Sequence, residues 1–302
     1  MNDKVFDLAK KFIYRNARPI DLVLWKYHFE NGSKEDVLNA LSAYQNSDGG
    51  FAHAIEPDYW NINSTPIATW AAIGKLNQID FNDRTHPIIV KILEYLDSGK
   101  DFADGKWFNA VKSNNDYPHA VWWGCESGEG IASDNPTVSL AGFAIKYADK
   151  NSSLYSKASA IVDSAVKQFM QNPTHEMHTL CCYMELYEYC VSEKVDFIDI
   201  KAFRTALYDA IRQTICCESE KWATKYVCRP STFFDNSHLL FDIIDRNICK
   251  KEAEILINSQ QDDGSFSVTW QWHNDYKEFE IAKNWWKSSI IINNLLFIKA
   301  LQ

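Results

Sequence analysis

Glu56-Pro57-Asp58 places two carboxyl groups two positions apart in a stretch without helical periodicity. Burial and like charge can push the pKa values of such neighbours apart, so that one donates a proton while the other accepts. His119 follows Pro118 and precedes Trp122-Trp123, so a titratable ring stands beside two large aromatic surfaces. That combination suits a general base or a substrate hydrogen bonder. His175 and His178 are one helical turn apart, with Cys181 and Cys182 just beyond. Glu56, Asp58, His119 and His178 are the candidate catalytic residues. Trp122, Trp123, Asn135, Arg229, Trp272, Trp286 and Lys287 are the candidate substrate contacts. Trp rings would exclude water and face apolar or cationic groups, and Asn, Arg and Lys would orient or neutralise charge. Each has a plainer role as well. The 56–58 acids can cap the helix that begins near Ser64, and Trp272, His273 and Lys287 can serve as wall residues. A metal needs ligands beyond His175, His178 and one cysteine, and no others are indicated, so no metal or cofactor is expected.

Those residues must be positioned by helices. Apolar residues recur at helical spacing over 3–16, 20–30, 34–45, 65–77, 86–97, 136–149, 153–171, 175–191, 199–215, 235–246, 248–259 and 287–301. Pro19, Pro66, Pro87 and Pro136 sit where a first turn tolerates a missing N–H, and Ser64 and Asn135 are suitable caps. No segment alternates for long, so strands are at most minor. The expected class is all-α, with five or six hairpins, and the irregular segments before alternate helices carry the polar and aromatic candidates. Arg18, Tyr226, Asp235 and Trp285 belong to that set. Helix N-termini there favour an anionic group or a developing oxyanion.

Composition removes several function classes. A net charge of −9 with no basic run opposes nucleic-acid binding. No stretch approaches the roughly 18 apolar residues of a spanning helix, and residues 1–4 start polar, so a cytoplasmic address is expected. Eight cysteines include the adjacent pairs Cys181-Cys182 and Cys216-Cys217 but no CxxC, which points to reduced thiols.

Residues 45–51 read QNSDGGF and residues 260–266 read QQDDGSF, each after an amphipathic helix. Gly supplies a positive φ, Asp caps local N–H groups, the aromatic closes onto neighbouring helices, and Gln can bridge to the next hairpin. Asp104-Gly105-Lys106-Trp107 and Ser219-Glu220-Lys221-Trp222 are possible degenerate copies.

These two segments, with Trp270 after the second, resemble the QW-type repeats of terpenoid cyclase and protein prenyltransferase α/α toroids. The layout is also similar to bacterial proteins labelled prenyltransferase-like. The resemblance implies one (α/α)-toroid domain over 1–302, with a small-molecule ligand in a Trp-rich central cavity. The catalytic signatures of the family do not carry over. Where a DxDD acid motif would stand, the chain reads Ser133-Asp134-Asn135-Pro136-Thr137. Asp242-Ile243-Ile244-Asp245 is only a fragment of DDxxD. His178 and the cysteines after it lack the Asp-x-Cys partner of a prenyltransferase zinc site. Three functions stay open: an enzyme using acid–base chemistry on a partly apolar, isoprenoid-like substrate; a carbohydrate-active hydrolase or lyase of the (α/α)-barrel kind; and a non-catalytic ligand-binding toroid. Oligomeric state is not legible.

Overall fold

The computed structural model describes residues 3–234 and 239–302. The chain is mostly helical with one small sheet. Twelve α-helices occur among the described residues: α1 (Asp3–Asn16), α2 (Pro19–Phe29), α3 (Lys34–Ser42), α4 (Pro66–Gln78), α5 (Pro87–Asp97), α6 (Asp134–Tyr147), α7 (Ser153–Gln171), α8 (Met177–Ser192), α9 (Ile200–Thr214), α10 (Leu239–Ile243), α11 (Arg246–Ser259) and α12 (Phe279–Ala300). None of them is long and apolar enough to cross a membrane.

Helix starts follow local chemistry. Ser33 and Asp36 form a reciprocal capping box at α3. Pro19 and Pro87 occupy the first turns of α2 and α5, and the His86 side chain caps the latter. Thr65 Oγ1 accepts the Ala68 N–H at the start of α4. Two starts differ from expectation. Helix α12 begins eight positions earlier than the periodicity indicates, so Trp285, Trp286 and Lys287 lie within a helix rather than in the segment before one. Glu280 and Ala282 are good helix formers that extend it backwards, with Lys283 pairing to Glu280 one turn away. Helix α10 is seen from Leu239 onward, and Asp235 lies outside the described residues.

The minor strands form an antiparallel sheet in the order β1 (Phe102–Ala103), β2 (Lys106–Val111), β3 (Gly130–Ala132). Phe102 is opposite Trp107 and Ala103 opposite Lys106. Asp104 and Gly105 both have positive φ, so this segment is a tight hairpin turn rather than a further copy of the QNSDGGF motif. Ser219–Lys221 is a 3-10 turn, also unlike the motif.

The chain divides into two compact units. One is built from Met1–Ala43, Gln78–Phe81 and Ile215–Gln302, the other from Tyr44–Asn77 and Asn82–Thr214. In the first, α1 buries Val5, Ala9, Phe12 and Ile13, one stripe of an amphipathic helix, and packs on α2 and α12. In the second, α7 and α9 are amphipathic, whereas α6 is buried on every side from Pro136 to Ile145 and packs on α7 and α8.

Each unit contains one clear repeat turn, and the two fold alike. Gln45 Nε2 donates to Gly49 O at 3.0 Å and to Ile88 O of α5 at 3.2 Å. Gln260 Nε2 donates to Gly264 O at 3.1 Å and to Val5 O of α1 at 2.9 Å. Asp48 and Asp263 each accept the N–H two positions on. Gly49 and Gly264 have φ of +90° and +91°, and a Cβ would lie 2.0 Å from Lys91 O and 2.1 Å from Leu8 O respectively. Alanine at either position is therefore expected to lower the urea midpoint, by more than about 1 kcal/mol of stability, through both φ strain and collision with the neighbouring helix.

Glu30 joins α1 to α2 at the other end of that contact. Its carboxylate receives Tyr14 Oη at 2.6 Å, Trp25 Nε1 at 3.0 Å and the Lys10 ammonium at 2.8 Å. Burial alone would raise this carboxyl, but the hydrogen bonds from Lys10, Tyr14 and Trp25 outweigh it and hold it at about 2. A depressed carboxyl contributes stability that is complete above its unfolded value near 4.5 and is lost as pH falls towards 2. Melting temperature is expected to drop across that window, and Glu30→Gln to flatten the drop.

Candidate functional site

In the second unit, the 56–58 segment meets the 117–123 segment edge to edge. Trp60 N–H donates to Pro118 O at 2.9 Å, and Ala120 N–H donates to Asp58 O at 2.8 Å. Between these bonds Tyr59 pairs with His119 as an isolated antiparallel bridge. Asp58 and His119 are thus on adjoining chains, although 61 positions separate them. Glu56 Oε2 accepts the Asp58 N–H at 2.8 Å, and both carboxylates are buried, Asp58 at 3% exposure. His119 Nδ1 donates to Tyr117 O at 2.7 Å. That bond assigns the Nδ1 proton and leaves Nε2 as the basic nitrogen of the neutral ring.

An amide network that sequence reasoning missed holds these loops. Asn61, fully buried, donates to Ser113 Oγ and Asn114 Oδ1, both at 2.8 Å. Asn114 Nδ2 donates to Trp123 O at 3.0 Å, and Asn115 bonds both the N–H and the carbonyl of Cys125. The density of Asn in 61–63 and 114–115 was the available signal, since short amides brace loop backbone. Trp123 stands 5.5 Å from the Tyr59 ring, and its buried Nε1 meets no acceptor among the described residues. Trp122 is exposed.

Strand β2 connects these loops to α6. Thr137 Oγ1 accepts Trp107 N–H at 2.9 Å and returns a bond to Trp107 O at 3.2 Å. At the start of α6, Ser133 caps the helix and Asn135 Oδ1 accepts from Cys182 Sγ at 3.5 Å. Asp134, the one carboxylate at the DxDD-like place, is engaged by Lys106 at 2.7 Å and Tyr183 Oη at 2.9 Å. His178 is exposed in the first turn of α8, whose cap is Glu176. His175 bonds Thr214 Oγ1 at 3.2 Å. Among the described residues, no three His, Cys, Asp or Glu side chains cluster as metal ligands.

Glu185 is a further residue that the sequence reading missed. It lies on α8 between residues buried on either side, where a carboxylate is uncommon without partners. Trp70 Nε1 of α4 donates to its Oε2 at 2.8 Å, and Ser139 Oγ of α6 donates to the same oxygen.

The remaining candidates belong to the first unit and hold structural partners there. Arg229 forms an ion pair with the fully buried Glu252 at 3.3 Å and donates to Trp222 O and Asn294 Oδ1, both at 3.2 Å. Burial lowers the Arg229 pKa and raises that of Glu252, while each one's charge partly restores the other. Lys287 reaches Asp263 of the repeat turn at 3.4 Å. Trp286 meets Trp270 edge-on at 5.3 Å, and Trp272 is buried against Tyr276 and Phe279. Arg18 pairs with buried Asp21 at 2.7 Å and lies over the Trp285 ring.

Burial pushes the Cys182 thiol well up, and the charge of Glu185 adds to it, so it stays protonated at neutral pH. Alkylation of the folded protein is expected to label exposed Cys217 and to leave Cys182 unmodified until the chain unfolds. Comparable labelling of both would contradict the Asn135–Cys182 arrangement. No protein-family model, curated protein or solved structure matches the chain.

Proposed function

We propose that the helical hairpins form an α/α toroid around a central cavity, and that the protein is an enzyme acting on a small, partly apolar, isoprenoid-like molecule. In this reading the reaction is proton transfer without a bound metal, and Glu56, Asp58 and His119 carry it. The observation that supports it is the edge-to-edge backbone pairing of the Asp58 and His119 segments, which brings a stretch with two buried carboxylates against the stretch that carries the His119 ring. His119 would take or return a proton at Nε2, Asp58 would be a second group able to move one, and Glu56 would fix the backbone turn between the two acids. Trp122 and Trp123 would supply the apolar wall. The toroid draws support from the two repeat turns of equal geometry and from the alternation of α6, buried on every side, with amphipathic α7 and α9.

Screening prenyl alcohols, prenyl diphosphates and oligosaccharides for turnover tests the reading. With a turned-over compound in hand, Asp58→Asn and His119→Ala are each expected to lower kcat by about 100-fold or more, with melting temperature and circular dichroism retained. Unchanged kcat in both variants would refute the assignment. Glu56→Gln is expected to have the smaller effect, because its Oε2 is already committed to the Asp58 N–H.

A further inference from the structure

Gly74 lies in the middle of α4, where glycine weakens a helix relative to almost any other residue. Such a glycine is commonly retained because another chain approaches closely. Gly142 of α6 is of that kind: a Cβ there would lie 2.6 Å from the Tyr189 ring and 3.3 Å from the Leu186 backbone. Gly74 is the opposite case. A Cβ at Gly74 would have no heavy atom within 4 Å.

The space is framed by side chains that reach from α4 to α8. Trp70, one turn before Gly74, donates to Glu185 at 2.8 Å. Asn77, three positions after it, donates to Tyr189 Oη at 2.8 Å. Residues 70, 74 and 77 share one face of α4, and 185 and 189 share one face of α8. The opening over Gly74 is therefore bracketed by an indole–carboxylate pair on one side and an amide–phenol pair on the other.

We propose that this opening is a binding recess for a neutral ring carrying hydroxyl groups, the chemistry of a monosaccharide. The Trp70 N–H is committed to Glu185, so the half-buried indole offers a ligand its ring face rather than its donor. Glu185 is aimed by two donors on Oε2, Trp70 and Ser139, which makes it a positioned acceptor for hydroxyl groups. A pure hydrocarbon would desolvate that carboxylate without replacing its water, at a cost in binding. A cationic ligand would find the Tyr189 ring already approached by the Lys146 ammonium, 5.7 Å from its centroid. The recess involves neither Glu56, Asp58 nor His119, so it stands or falls separately from the acid–base reading.

Saturation-transfer NMR on the full chain, with the methyl glycosides of glucose, galactose and mannose, and with choline as a cationic comparison, reads binding without requiring turnover. Transfer to at least one glycoside is expected. Affinity should fall at least tenfold in Gly74→Leu, which fills the space, and in Trp70→Ala, and should fall also in Glu185→Gln. Leucine favours a helix over glycine, so the melting temperature of Gly74→Leu should be no lower than that of the parent. Phe197→Ala, at an exposed aromatic of the same unit, should bind as the parent does. No transfer to any glycoside, transfer to choline alone, or glycoside binding that Gly74→Leu leaves intact would each overturn the proposal.

Discussion

A helix buried on every side has nowhere to send a polar side chain except to another protein group, and α6 imposes that condition on the second unit. A hydroxyl buried there without a partner would cost about 1–3 kcal/mol, and Thr137 and Ser139 are both partnered. Thr137 joins backbone of β2, and Ser139 joins Glu185 of α8. At its start, Asn135 takes the Cys182 thiol. These bonds decide where β2 lies, which way the Glu185 carboxylate points and how the second turn of α8 meets the start of α6. The absence of a side chain at Gly142 then permits the close approach of Tyr189 and Leu186. Loops and helix face are both placed by the requirement to leave no polar atom of α6 unmatched.

Each unit meets a related demand at its repeat turn. A tight turn after a helix leaves carbonyls and amides that must find partners. One glutamine amide serves two carbonyls, one within the turn and one in the first turn of another helix. Left-handed glycine brings the turn within contact of that same helix. The two copies differ in the cation that answers the turn aspartate, Lys100 for Asp48 and Lys287 for Asp263. The second choice explains why Lys287 has a structural partner although its position in the chain resembled a binding residue.

Buried ions in the first unit follow the same logic with charge in place of dipoles. Asp21 is fully buried with Arg18 and Ser289, and Glu252 is fully buried with Arg229 and Ser231. Removing one member of such a pair leaves an uncompensated charge, the costly outcome for a buried ion pair. Arg229 therefore reads as part of the framework that holds the 230–233 turn against α11.

Helix identity was legible because it rests on short-range regularities: a 3.6-residue apolar period, proline in the first turn and hydroxyl or carboxylate caps. The paired QNSDGGF and QQDDGSF turns were legible for the same reason, since glycine and aspartate act within a few residues. The sheet was not. Its strands have two to six residues, and β2 buries adjacent pairs instead of alternating, so no period distinguishes it from a loop. The start of α12 was hidden because Trp285 and Trp286 look like loop residues until their ring partners are known. Side-chain type alone marked Glu56, Asp58 and His119 for chemistry, yet only the pairing of residues 58–60 with 118–120 brought the backbones of the last two onto adjoining chains. Trp70, Ser139 and Glu185 come from three helices spread over 115 positions, and each is unremarkable in its own window. Their meeting at one carboxylate oxygen is a product of helix packing, which depends on long-range burial that no local pattern encodes.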